Sequence, residues 1–312
     1  MKTIHSIPKS NPNLAKITLS NAYEDLQVSR LLFKNKHYAR SIFHLQQSVE
    51  KAVKSFGYYS GLFDENIAKN MQLIGHNVTN AYPVSLEQYQ KIVEFIKSNP
   101  NEDYVQYFLI ENFAFFREIN RDIDDLLEQI EDNFRLIDKL DLTSDEIIKY
   151  LNILEEKSIE AKSTLKLLKS ENVSDKIRKE IIEIWKVYIK DEMKILCHKH
   201  HTPFLTVEKI IDKECESFTN EGISHAILFV YYQYFAIDPL FYLGILTQHH
   251  EQKTRYPNYN KNFNPLEYYD DKNPLIVNYN QIHKFTKEGL KRLEKLFSLE
   301  IPSKKTLSGY NS

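Results

Sequence analysis

Glycine is scarce in this chain, with 7 among 312 residues. Tight hairpins and phosphate-cradling loops need backbone angles that glycine supplies cheaply, so few positions remain for either, helix is the expectation, and no glycine-rich nucleotide loop is found. Cysteine is scarcer still. Cys197 and Cys215 cannot build a disulfide framework, and a reducing, cytoplasmic setting is the expectation. The formal net charge of -2 provides no global attraction to nucleic acid. Any such binding must come from a local basic patch. The opening residues, MKTIHSIPKSNPNLAK, lack the continuous apolar stretch of a secretory signal. A nucleophile elbow is missing, as is any Glu followed three residues later by His, which a di-iron bundle requires. Internal repeats and low-complexity tracts are missing too.

One apolar run, residues 226–246 (AILFVYYQYFAIDPLFYLGIL), is long enough to cross a bilayer. Gln233 and the Asp238-Pro239 pair would place a charge and a helix break near its centre. Two buried helices meeting at that pair are expected instead, with no membrane partner.

What remains is 42% apolar and 27% charged, an ordinary globular balance in which helix dominates. Pro8 and Pro12 mark residues 1–19 as an extended arm, and Asn21 with Glu24 offers a capping box for the first helix. From Tyr38, the residues Ile42, Leu45, Val49, Ala52, Val53 and Phe56 recur at three-and-four spacing, the core stripe of a second helix ended by Gly57 and Gly61. Ile119, Ile123, Leu126, Ile130, Phe134 and Ile137 follow near-heptad spacing in a long helix over 104–140. Thr143 with Glu146 is another capping box, opening a helix to about 169, and the two form an expected antiparallel hairpin. Further helices are expected at about 174–197, 206–216, 222–254 (interrupted at Pro239) and 275–298.

Two distant segments carry the functional signal. Near the start lie Gln46, Gln47, Glu50, Lys51 and Lys54, followed by Ile74-Gly75-His76-Asn77; near the end lies His249-His250-Glu251-Gln252-Lys253-Thr254-Arg255-Tyr256-Pro257. In that order these resemble the second helix, the loop His and the Arg-Tyr-Pro turn of the HEPN family (higher eukaryotes and prokaryotes nucleotide-binding). The resemblance implies an all-α, antiparallel helical bundle built from 20–77 and 226–300. It leaves 78–225 as a helical insertion containing the long hairpin, and 301–312 as a tail. It also implies a role in nucleotide or RNA metabolism, as a toxin or defence effector with ribonuclease or nucleotide-binding activity, in a homodimer and without a cofactor or metal. Ribonucleases of this family use an Arg followed at short spacing by a His. Arg30 and His37 match that pattern formally but lie early in the chain, and at the late position His249 and His250 precede Arg255.

The resemblance makes His249, His250 and Arg255 the catalytic candidates, and Lys51, His76, Arg255 and Tyr256 the nucleotide- or RNA-binding ones. His can move protons near neutral pH while Arg stabilises charge on a phosphate. Each has a plainer reading. Pro257 places Arg255 in a last helical turn, where a cation complements the helix dipole. Glu50 and Lys54 have the spacing of a solvated ion pair, and His76 is equally suited to structural hydrogen bonding. Cys197, His198, His200 and His201 lack the second ligand pair that zinc needs, and Asp122, Asp124, Asp125, Glu128, Glu131 and Asp132 read as a solvated acidic face. The alternative function is a non-catalytic interaction module recruiting a protein partner through the central helices.

Overall fold

A computed structural model describes residues 10–62, 64–70, 72–76, 78–81, 84, 142–170, 175–199, 201, 203–257 and 263–299. The predicted helix over 104–140, its hairpin with the next helix, the acidic face at 122–132 and His200 lie outside these residues. The fold is all-α, and no strand occurs among the described residues.

The first helix, α1 (Pro12–Lys34), starts well before Asn21. Asn11 is its cap, accepting a hydrogen bond from the Leu14 amide at 3.1 Å, and Pro12 takes the first helical position. Proline's missing N–H costs nothing there, so a residue read as a breaker is a starter. The helix α2 (Tyr38–Ser60) runs back along α1 after a short turn and ends at Gly61, whose φ of 71° is the left-handed closing conformation glycine favours. Its predicted stripe is buried throughout. Gln46, Ser48, Glu50 and Ser55 are buried as well, so neighbours surround α2.

Beyond the short α3 (Glu65–Lys69) and a 3-10 turn at Val78–Asn80 come α4 (Ser144–Ser170), α5 (Asp175–Lys199), α6 (Phe204–Glu216) and α7 (Asn220–Thr247). The Thr143–Glu146 capping box forms in both directions: the Thr143 amide donates to Glu146 at 2.8 Å, and the Glu146 amide donates to Thr143 Oγ1 at 3.2 Å. Short helices α8 (His250–Lys253), α9 (Pro265–Tyr268) and α10 (Pro274–Val277) lead into α11 (Tyr279–Ser298).

The four helices α1, α2, α7 and α11 surround one core. Buried Leu26, Leu45, Val49, Leu240, Leu243, Leu290 and Leu293 meet there, which brings the early and late segments of the chain into contact. Polar stitches fix the register. Ser29 Oγ lies 2.7 Å from the Tyr279 hydroxyl, and the Tyr59 hydroxyl donates to the Leu296 and Leu299 carbonyls at 3.1 and 3.2 Å. The Leu296 carbonyl also accepts the Leu299 amide at 3.1 Å, so Tyr59 adds a second donor where the end of α11 runs short of them. Helix α4 packs on α7 and α11, while α5 and α6 pair with each other and reach α7 through α5.

Helix α7 corrects one expectation: it is continuous through Pro239. A proline at this position leaves the carbonyl four residues earlier, that of Phe235, without its helical donor. The guanidinium of Arg292 on α11 supplies the replacement, with Nη1 donating to that carbonyl at 3.0 Å. The neighbouring Asp238 faces Lys157 of α4 at 3.6 Å. Helix α7 is long and apolar enough to cross a membrane, yet it packs against α2, α4 and α11.

Candidate functional site

The site begins with a carboxylate where α2 has little solvent. Glu50 is 4% exposed. An ion buried this far is tolerated only with close partners, and four side chains supply them. Lys54 Nζ stands 2.9 Å away, one helical turn on; Gln46 Nε2 and Gln47 Nε2 donate at 3.1 and 3.2 Å; His76 Nδ1 lies 3.2 Å from Oε2 and 3.3 Å from Oε1. Gln47 also donates to Gln46 Oε1 at 2.7 Å, orienting both amides. The solvated face expected here is instead a closed polar network. The i,i+4 spacing of Glu50 and Lys54 reads the same whether or not other helices cover it.

The His76 loop shows how local sequence delivers a side chain. Ile74 is fully buried and anchors the loop in the core, and Gly75 then turns the chain with a φ of 49°, where a side chain would add strain. His76 consequently lies over Glu50 with its side chain 46% exposed. A carboxylate can only accept, so Nδ1 is the donor, which in a neutral imidazole makes Nε2 the accepting nitrogen. A buried carboxylate beside a half-exposed imidazole is an arrangement chemically able to pass a proton.

Lys51 belongs to a separate cluster. Its Nζ lies 2.5 Å from Asp25 Oδ2 on α1, while His44 Nδ1 lies 2.8 Å from Asp25 Oδ1. Burial by itself would push the Asp25 carboxyl up; the hydrogen bonds and charges of His44 and Lys51 outweigh it and hold the group below the ordinary carboxylate range. Lys51 therefore joins α1 to α2, on a different cluster from His76.

The late segment reaches α2 from another direction, since α8 and α9 both pack on it. Arg255 is exposed, in a turn beyond the end of α8 and outside the helical turn expected for it. Its guanidinium lies 5.2 Å from the Phe43 ring centre and 5.0 Å from that of Tyr256, which is 60% exposed. Phe43 precedes Glu50 by seven residues, about 10 Å along a helix axis. Arg255 and His76 thus address one side of α2 at different levels. His250 does not join them: it is buried, with Nδ1 2.6 Å from the Tyr269 hydroxyl, and its carbonyl accepts from Thr254 Oγ1 at 2.6 Å. His249 is half-buried, beside Gln248 at 3.4 Å.

The formal Arg30–His37 pair is divided between two surroundings. Arg30 is hydrogen-bonded to Asn280 of α11 and lies 5.9 Å from both the Phe33 and Tyr279 ring centres, whereas His37 is exposed in the α1–α2 turn. Cys197 and Cys215 are buried free thiols, and among the described residues no group of three or more His, Cys, Asp or Glu could hold a metal ion. Sequence reasoning missed the burial of Gln46 and Glu50, the Asp25–His44 pairing and Arg292. For Arg292 a signal existed, since a proline inside an apolar helix requires an outside donor.

Comparison with known proteins places part of this architecture. Residues 15–99 match the HEPN domain family, a span that contains α2 and His76. The match is confined to this early part of the chain; the turn from Thr254 to Pro257 lies outside it. A protein of Methanocaldococcus jannaschii that carries a provisional toxin name is 44% identical over 52 residues, covering 17% of this chain and 34% of the relative. The chain thus spans about a third of the length of the curated relative it matches. No solved structure matches.

Proposed function

We propose that the chain is a HEPN-like protein of the toxin class that acts on RNA or nucleotides on the Glu50 side of α2, within a bundle assembled from both ends of the chain. The observation that carries this reading is the buried Glu50 carboxylate orienting a half-exposed His76. The early HEPN match and the toxin-named relative support it. In this reading His76 moves the proton, with Glu50 as its positioning residue. Arg255, beside Tyr256, contacts a phosphate, and the level difference along α2 suits a ligand longer than one phosphate group. Lys51 and His250 serve the fold. His249 stays at the rim as a secondary polar contact, and a homodimer would let a second copy complete the site.

The reading is tested by incubating the purified chain with end-labelled RNA in the presence of a chelator, beside Arg255→Ala. Metal-independent cleavage that falls at least tenfold in the variant supports it; equal cleavage by both removes Arg255 from the mechanism. A chain that neither cleaves RNA nor binds nucleotides would instead be a non-catalytic interaction module. The divided surroundings of Arg30 and His37 and the burial of His250 are what favour that second reading.

A further inference from the structure

A groove of about 520 Å³ between α1 and α11 lies outside the Glu50 network. Arg30 lines it from α1, and His283, Lys284, Lys287 and Lys291 line it from one face of α11. Glu288 is its one acidic wall residue, and that carboxylate is already engaged. It accepts from Ser158 Oγ at 2.6 Å, lies 3.5 Å from Arg292 and 3.7 Å from Lys162. Lys284 pairs with Glu155 at 3.0 Å. Among the described residues no carboxylate pairs closely with Arg30, Lys287 or Lys291, so five basic or imidazole side chains face one acidic residue on this concave surface. His283 registers their field: burial first, then the charges of Arg30 and Lys287, push its imidazole below the ordinary value.

We infer that this groove binds the phosphate backbone of single-stranded RNA. From Asn280, where Arg30 is held, to Lys291 is eleven residues, about 16 Å along a helix. A row of that length exceeds a single phosphate and suits a chain that carries several. Arg30 is pre-organised to grip a phosphate oxygen, because Asn280 and the stacked Phe33 and Tyr279 rings fix its guanidinium and little freedom is lost on binding. The net charge of the whole chain conceals this patch, because acidic residues elsewhere cancel it. The choice of RNA rests on the function proposed above; the cationic row itself does not.

The test is fluorescence anisotropy with a short 2′-O-methyl oligoribonucleotide, which binds without being cut, on the full chain and on K287Q/K291Q. Both lysines are exposed, so the variant keeps its fold, checked by its melting temperature. The wild type should lose affinity steeply with salt, and the variant should bind at least tenfold more weakly. With single strands contributing about 0.7 to the log–log salt slope per phosphate contact, the variant's slope should be shallower by about 1.4. Unchanged affinity and slope in the variant would overturn the groove, as would equally tight binding of polyglutamate or no binding by the wild type. RNA cleavage measured on the same preparations separates the two ideas. Cleavage that persists while the groove fails leaves the function standing; RNA binding through the groove without cleavage removes the catalytic reading alone.

Discussion

At the level of single residues, the stability of α2 and the chemistry proposed for it are joined in Glu50. Replacing it by Ala leaves Lys54 Nζ and the two glutamine amides facing a buried gap, and breaking one side of a buried ion pair costs about 3 kcal/mol or more. Glu50→Gln keeps the volume and one acceptor, so a smaller loss, on the order of 1–2 kcal/mol, is expected by chemical denaturation. The reverse order would show that the carboxylate is not held as described. Asp25 predicts a pH effect. Its folded-state pKa lies below its ordinary value, so the stability it adds is present above about pH 4 and lost as pH falls through the folded value. Asp25→Asn should flatten the acid limb of a melting-temperature profile, and a limb of unchanged slope would contradict the pairing with His44 and Lys51.

At the level of the helix, Pro239 and Arg292 form a separable pair. Arg292→Met removes the donor to the Phe235 carbonyl and should cost about 1–3 kcal/mol. In a Pro239→Ala background the restored amide serves that carbonyl, so the same change should cost about 1 kcal/mol less. Additive effects would deny the substitution of one donor by the other. The same pair shows what a sequence reveals and what it conceals. The stripe from Ile42 to Phe56 is readable because apolar spacing reports the face turned to the core. Pro239 reads as a break because the compensating Arg292 is far away in sequence. Glu50 reads as solvated for the same reason: the loop that brings His76 and the helices that surround α2 come from elsewhere in the chain. His76 itself is half legible, since Ile74-Gly75 marks an anchored turn while the partner of the imidazole is invisible in one dimension. The capping box at Thr143 is fully legible, being local; the true cap at Asn11 hides behind a proline whose meaning depends on its position.

At the level of the whole molecule, α1 and α2 share one core with α7 and α11, so the early and late segments should melt together. Leu45→Ala on α2 and Leu293→Ala on α11 each open a cavity in that core and should cost about 2–5 kcal/mol, lowering one common transition. Two transitions, each sensitive to one substitution, would separate the ends. This shared core is what holds α2, the His76 loop and the Arg255 turn in a fixed relation. The most direct measurement is RNA cleavage in chelator by the wild type, His76→Ala, Glu50→Gln and the double variant. If Glu50 acts only by orienting His76, His76→Ala should lose about 10²–10⁴-fold and Glu50→Gln should add nothing further to it. Wild-type rates in His76→Ala would contradict the account.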